Sequence, residues 1–192
     1  MAEAKLDRRT ERTRQALIDA FVALLFERGY DEINVAEIIE RANIGRSTFY
    51  EHYAGKEALL RETIARQFGV LAGLVDGTVS AARIVRLLDH FIEHGKLSRT
   101  LLNGPTRPLM VRCLAELIEP MLGSLYRPDS GAEPLLPRAM IAAQIAEAQL
   151  ALIGQWLANR ACSAEALAEA VLAVTGATLS ALLRQKVRTV PA

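Results

Sequence analysis

Apolar side chains along the first sixty residues recur at intervals of three and four, the spacing that lines one face of a helix. Leu17, Ala20, Phe21, Leu24 and Leu25 define such a face, predicting a first helix from near Thr10 to Arg28, with Gly29 as its stop. A second helix follows Asn34, with Val35, Ile38, Ile39 and Ala42 as its apolar stripe. Asn34 and Glu37 have the spacing of a capping box, each side chain bonding the other's backbone amide. Asn43, Ile44 and Gly45 form a tight turn in which one residue must turn left-handed, a conformation Asn and Gly tolerate best. The third helix runs from Arg46 to about Tyr53. Phe49 and Tyr53, four apart, share its inner face. Arg46, Ser47, Thr48, Tyr50 and His52 are left for the outer side and the leading end. A fourth helix begins at Lys56, after Gly55, and runs toward Leu74, weakened in its far half by Gly69 and Gly73.

Beyond residue 74 the pattern stays helical: about 80 to 96, 106 to 126 with a kink or restart at Pro120, 138 to 159 and 164 to 186. Ser163 caps the last of these, and Glu165 sits in its first turn. The segment Arg127 to Pro137, RPDSGAEPLLP, is the clearest loop. The last two helices carry apolar residues on several faces: Ile141, Ile145, Leu152 and Trp156 against Ala142, Leu150, Ile153 and Leu157, then Leu167, Val171, Val174 and Leu182. A helix apolar around much of its girth needs cover on several sides. Four such helices meeting across a two-fold axis supply it, which predicts a dimer. The fold class is all-α: an N-terminal three-helix helix-turn-helix domain, residues 1–55 with a charged arm at 1–9, joined to a helical body at 56–192.

Composition narrows this. Of 192 residues, 51% are hydrophobic and 23% charged, which supports a large core and excludes disorder. The formal net charge is only +1, so the usual argument for a nucleic-acid binder, a strongly basic domain, is absent. The first sixty residues are not basic either, because Asp31, Glu32, Glu37 and Glu40 offset the arginines. Any nucleic-acid contact must come from placement: Lys5, Arg8, Arg9, Arg12 and Arg14 ahead of the motif, Arg46 and Lys56 within it. No signal peptide opens the chain and no segment approaches the ~20 apolar residues of a membrane span, so the expectation is a soluble cytoplasmic protein with no membrane partner. Cys113 and Cys162 lie in apolar helical surroundings with no metal-ligand spacing, and are expected to be reduced, buried and inert.

The outer face of the third helix carries the candidate chemistry. An arginine can donate two parallel bonds to guanine O6 and N7, as Arg46 would. Ser47 and Thr48 are short enough to let the helix enter a groove. Tyr50 and His52 suit phosphates, as does Lys56 at the start of its helix. Elsewhere, Asp89, His90, Glu93 and His94 fall within a turn and a half, with His90 and His94 four apart on one face. No third ligand is evident nearby and HExxH is absent, so neither metal nor cofactor is expected. Those histidines then belong to a solvated face or a pocket wall. Phe68, Met110 and Cys113 read as core before pocket, and Trp156 as a core or interface anchor before a ligand contact.

Residues 14 to 60 resemble the DNA-binding domain of the TetR family of bacterial transcriptional regulators. The first helix ending in FERGY, then NVAEIIERANIG, STFYEHY and GKEALL, match in order. Two departures stand out. Asn43 occupies a position where the family usually has Gly, and Gly45 one where it usually has Ser or Thr, so a capping hydroxyl is lost. A Gly also replaces the common polar cap before Lys56. The resemblance implies a homodimer on a palindromic double-stranded DNA operator, usually a repressor released by a small-molecule effector, and not an enzyme. It assigns DNA contact to Asn34, Arg46, Ser47, Thr48, Tyr50, His52 and Lys56. It makes residues 56–192 the effector-binding and dimerisation domain, with Phe68, His90, His94, Met110, Cys113 and Trp156 as candidate lining. The alternatives are a helical metal protein or enzyme built on His90 and His94, and a helix-turn-helix regulator without a small ligand.

Overall fold

The computed structural model describes residues 2–125 and 132–185, with side chains at 10–123, 125 and 134–182. The side chains of Lys5, Arg8 and Arg9, and the predicted loop at 127–131, lie outside the described residues.

Helix α1 (Ala2–Arg28) begins well before Thr10. Its opening segment, AEAKLDRRTE, consists mostly of strong helix formers with no Gly or Pro, so propensity favours helix where the charge pattern suggested an arm. Gly29, at φ 84°, ends it in the left-handed conformation that costs glycine least. Helix α2 (Val35–Ala42) starts with the capping box complete: Glu37 N donates to Asn34 Oδ1 at 3.1 Å, and Asn34 N to Glu37 Oε2 at 3.0 Å. It ends at Asn43, φ 52° and ψ 49°. There Asn43 N donates to Glu40 O and Ile44 N to Ile39 O, both at 3.1 Å, a Schellman closure. Helix α3 (Arg46–His52) follows, then α4 (Lys56–Ala72).

The chain divides into two compact units, Met1–Arg66 and Gln67–Ala192. The first takes in the opening of α4 because Leu59 and Leu60 are fully buried in it and Glu62 pairs with Arg14 at 2.5 Å. Its core is Leu17, Phe21, Leu24, Leu25, Ile33, Ile38, Phe49 and Tyr53, together with those leucines. In α2 only Ile38 is fully buried; Val35, Ile39 and Ala42 are half-buried.

The second unit holds α5 (Ala81–Glu93), α6 (Gly95–Asn103), α7 (Arg107–Leu125), α8 (Arg138–Asn159) and α9 (Ala164–Leu182). The single helix predicted at 80 to 96 is two, because the backbone leaves helical geometry at His94, φ −103° and ψ 35°, just before Gly95. Helix α7 runs through Pro120 unbroken. Pro120 is exposed there, so the amide it lacks leaves a carbonyl on the solvent side of the helix. Helix α8 packs against α6, α7 and α9. Gly154 makes room in it for α6: Asn103 Nδ2 donates to Gly154 O at 2.9 Å, and a Cβ at residue 154 would lie 2.3 Å from Asn103 Oδ1. Two short strands, β1 (Ala132–Pro134) and β2 (Leu183–Gln185), pair antiparallel where the sequence suggested a loop and a helix end. Three-residue strands carry too little alternation to be read.

Helix α9 corrects the expectation that no segment reaches membrane-span length. By length and composition its 19 residues, mean hydropathy 1.4, suffice to cross one, and 22% of that stretch is buried within the chain. Its buried edge is Leu167, Ala168, Val171, Thr175 and Leu179, while Ala166, Ala173 and Ala177 are exposed.

Candidate nucleic-acid interface

The third helix is held from behind. Phe49 is fully buried and Tyr53 is 4% exposed, their rings 5.9 Å apart. Tyr50 points the other way, 47% exposed. One turn earlier, Arg46 leans over it, with Cζ 5.7 Å from the ring centroid. A guanidinium resting on an aromatic face keeps its donors directed outward. Ser47 is exposed, Thr48 and His52 half-buried. The structure therefore brings Arg46, Ser47, Thr48, Tyr50 and His52 together on one short helix.

Residues 1–66 carry eleven Lys and Arg against twelve Asp and Glu, yet the pairing is uneven. Arg41 grips Glu27 with two bonds of 2.6 Å, Arg28 meets Glu37 at 2.7 Å, and Arg61 meets Glu57 at 2.6 Å. Arg46 makes no ion pair among the described residues. Glu27 and Glu37 are thus engaged in fastening α1 to α2, while the tip of α3 keeps the charge of Arg46. The pairs leave their mark on titration. Glu27 is held below the usual carboxylate range by its bonds to Arg41. Glu37 is held there first by the Asn34 amide and then by Arg28. Desolvation pushes the Tyr53 hydroxyl up.

Two predicted contacts sit elsewhere. Asn34 lies at the start of α2 with its side-chain oxygen engaged in the cap. Lys56 turns back into the protein. Its Nζ donates to Tyr30 O at 3.0 Å and Ile33 O at 2.8 Å, and lies 4.4 Å from the Tyr30 ring centroid. An ammonium has three donors; two are committed to the Tyr30–Ile33 loop.

In the second unit Phe68, Met110 and Cys113 are buried, whereas Cys162, expected to be buried too, is exposed because it lies in the link between α8 and α9 rather than on a packed helix face. Trp156 is 5% exposed and ties the α8–α9 turn: Nε1 donates to Cys162 O at 2.7 Å, and Arg160 stacks on its ring at 4.3 Å. His90 and His94 are half-buried with ring centroids 4.6 Å apart. Glu93 supplies the third donor the sequence reading lacked: the ligand atoms of all three residues lie within 4.8 Å of one another. One polar side chain of α8 is buried. Gln149, 1% exposed, donates through Nε2 to Leu71 O at 3.3 Å and Thr175 Oγ1 at 3.0 Å, while no donor among the described residues reaches its Oε1. Its signal in the sequence is weak, since α8 carries three glutamines and only packing separates the buried one from the others.

In the first unit α2 and α3, joined through the left-handed turn at Asn43, form a helix-turn-helix whose second helix presents a polar, cationic tip. The family model for bacterial regulatory proteins of the tetR family matches residues 17–63. The HTH-type regulator YxbF of Bacillus subtilis is 48% identical over 65 residues, a match covering 33% of this chain but only 17% of that protein. The HTH-type transcriptional repressor KstR of Mycobacterium tuberculosis is 24% identical over 188 residues, 91% of this chain and 84% of that one. A TetR transcriptional regulator from Streptococcus agalactiae has a solved structure that superposes with a TM-score of 0.56 at 30% identity, covering 91% of this chain and 99% of that one. The chain belongs to the TetR family, and it is a DNA-binding transcriptional regulator.

Proposed function

We propose that the protein is a homodimeric repressor that binds a palindromic operator through α3 of each copy and is released by a small-molecule effector. DNA reading is assigned to residues 1–55, effector binding and dimerisation to 56–192. The observation that carries the reading is the α3 tip, where Arg46 is exposed, braced on Tyr50 and without an ion pair among the described residues. Arg46 reads a guanine edge. Ser47, Thr48, Tyr50 and His52 set register on bases and phosphates. Asn34 orders α2 by capping it, and Lys56 fastens the loop before α2.

Dimerisation through α8 and α9 is supported by the exposed alanine face of α9 and by Ala143, Ala151 and Ala158 on α8, small side chains that let helices approach closely. Effector binding is supported by the apolar core at Phe68 and Met110 and by the buried acceptor of Gln149, whose pairing by a ligand would recover its desolvation cost. The repressor sign is supported by the similarity to KstR along most of both chains. Such a protein works in the cytoplasm. The effector must bind the DNA-incompetent conformation more tightly, since equal affinity shifts nothing.

The test is a gel shift on a genomic fragment selected by the purified protein. Arg46→Ala should cost ~1–3 kcal/mol on that fragment and relax preference at one base pair per half-site. Equal losses on random DNA would remove the base-reading role.

A further inference from the structure

We propose that His90, Glu93 and His94 form a binding site for one late first-row divalent metal ion. The three stand at i, i+3 and i+4 across the end of α5, and their candidate ligand atoms lie within 4.8 Å of one another. Metal bonds of about 2.0–2.1 Å in a tetrahedral site hold ligand atoms about 3.4 Å apart. Closing the remaining gap takes rotation of side chains that are half-buried or exposed, not movement of the helix. Two imidazoles and one carboxylate leave a fourth position for water, and this nitrogen-rich set selects zinc, cobalt, nickel or copper over magnesium or calcium.

A second observation points to the same site from another helix. Gln67 of α4 places Nε2 3.3 Å from His90 Nε2, while its buried Oε1 meets no donor among the described residues. Turning that carboxamide half a turn brings Oε1 against His90 Nε2–H. The acceptor is then satisfied, the imidazole proton is held on Nε2, and Nδ1 is left as the ring nitrogen for the metal. Outer-shell hydrogen bonds of this kind are the usual way a ligating histidine is oriented. Gln149 has no such freedom, because Leu71 O and the Thr175 hydroxyl, itself donating to Val171 O, hold its Nε2 in place. Around the site the exposed charges on α5 and α6 are mixed, with Asp89 adding attraction and Arg86 and Lys96 opposing it.

The experiment uses full-length protein stripped with a chelator and titrated with Co²⁺ in the absence of DNA, with visible d–d absorption as the readout and Zn²⁺ as competitor. One Co²⁺ per chain should bind, displaced by Zn²⁺. His94→Gln and Glu93→Gln should each weaken it at least ~10-fold, and Gln67→Ala by ~10–100-fold at unchanged stoichiometry. Circular dichroism checks that each variant keeps its helices. Absence of stoichiometric absorption, or binding that survives His94→Gln unchanged, would overturn the proposal. No DNA contact enters the measurement, so its failure leaves the operator reading standing, and the reverse holds too.

Discussion

Replacing Lys56 with methionine keeps the side chain's stem and removes its ammonium. In the folded chain that ammonium makes two bonds, 3.0 Å to Tyr30 O and 2.8 Å to Ile33 O, and lies 4.4 Å from the Tyr30 ring centroid. Hydrogen bonds from a charged donor net about 1.5–3 kcal/mol each when well buried, and a cation over a ring adds about 0.5–1 kcal/mol at an exposed site. Lys56 is half-buried, which reduces all of these, so the variant should lose about 2 kcal/mol. For a chain of this size that lowers Tm by about 4–8 °C. A lysine whose work is to neutralise a phosphate behaves differently. Its loss leaves stability within about 0.5 kcal/mol and makes the salt dependence of DNA binding shallower by about one unit per chain. Calorimetric melting of both proteins, paired with operator affinity across a salt series, separates the two roles. The geometry predicts a lower Tm and an unchanged salt slope. An unchanged Tm with a shallower slope would refute it.

Two further outcomes follow from the same unit. Asn34→Ala removes the acceptor of the Glu37 amide at the start of α2 and should cost about 1 kcal/mol, read as a lower urea midpoint at constant m; an unmoved midpoint would mean the cap contributes nothing. Glu27 and Glu37 titrate below their ordinary value of 4.5 when folded, so their contribution is complete above that value and drains as pH falls through the folded pKa. Melting between about pH 6 and 3 should therefore show a flatter acid limb for Glu37→Gln than for the parent, and superimposable limbs would contradict the assignment.

The parts of this protein that were legible in the sequence are those fixed by local chemistry. The spacing of Leu17, Phe21, Leu24 and Leu25, the cap at Asn34, the left-handed Asn43 and the opposition of Phe49 to Tyr50 each follow from a few neighbouring residues, and each stands in the structure. What escaped depends on distant partners. The two bonds of Lys56 are of this kind, because nothing near it in the chain reveals that the carbonyls of Tyr30 and Ile33 fold beneath its ammonium. The start of α1 at Ala2 escapes because its run of charge reads as a solvated arm despite good helix formers, and the break at His94 because helical spacing continues on both sides of it. The span-length apolarity of α9 is hard to read from the sequence because its charges interrupt the apolar run, whereas its many alanines keep mean hydropathy high. The unpartnered buried oxygens of Gln67 and Gln149 depend on packing from other helices, which no local pattern encodes.

The central claim is that paired α3 tips, carrying Arg46, enter successive major grooves of one duplex. Methylation interference at guanine N7 tests it most directly, because N7 lies in the major groove where an arginine fork would contact it. On the fragment the protein selects, methylation should block binding in two symmetric guanine clusters about 34–36 Å apart, and Arg46→Ala should abolish the sensitivity of those guanines. A single cluster, or interference that persists in the Arg46→Ala protein, would contradict the account.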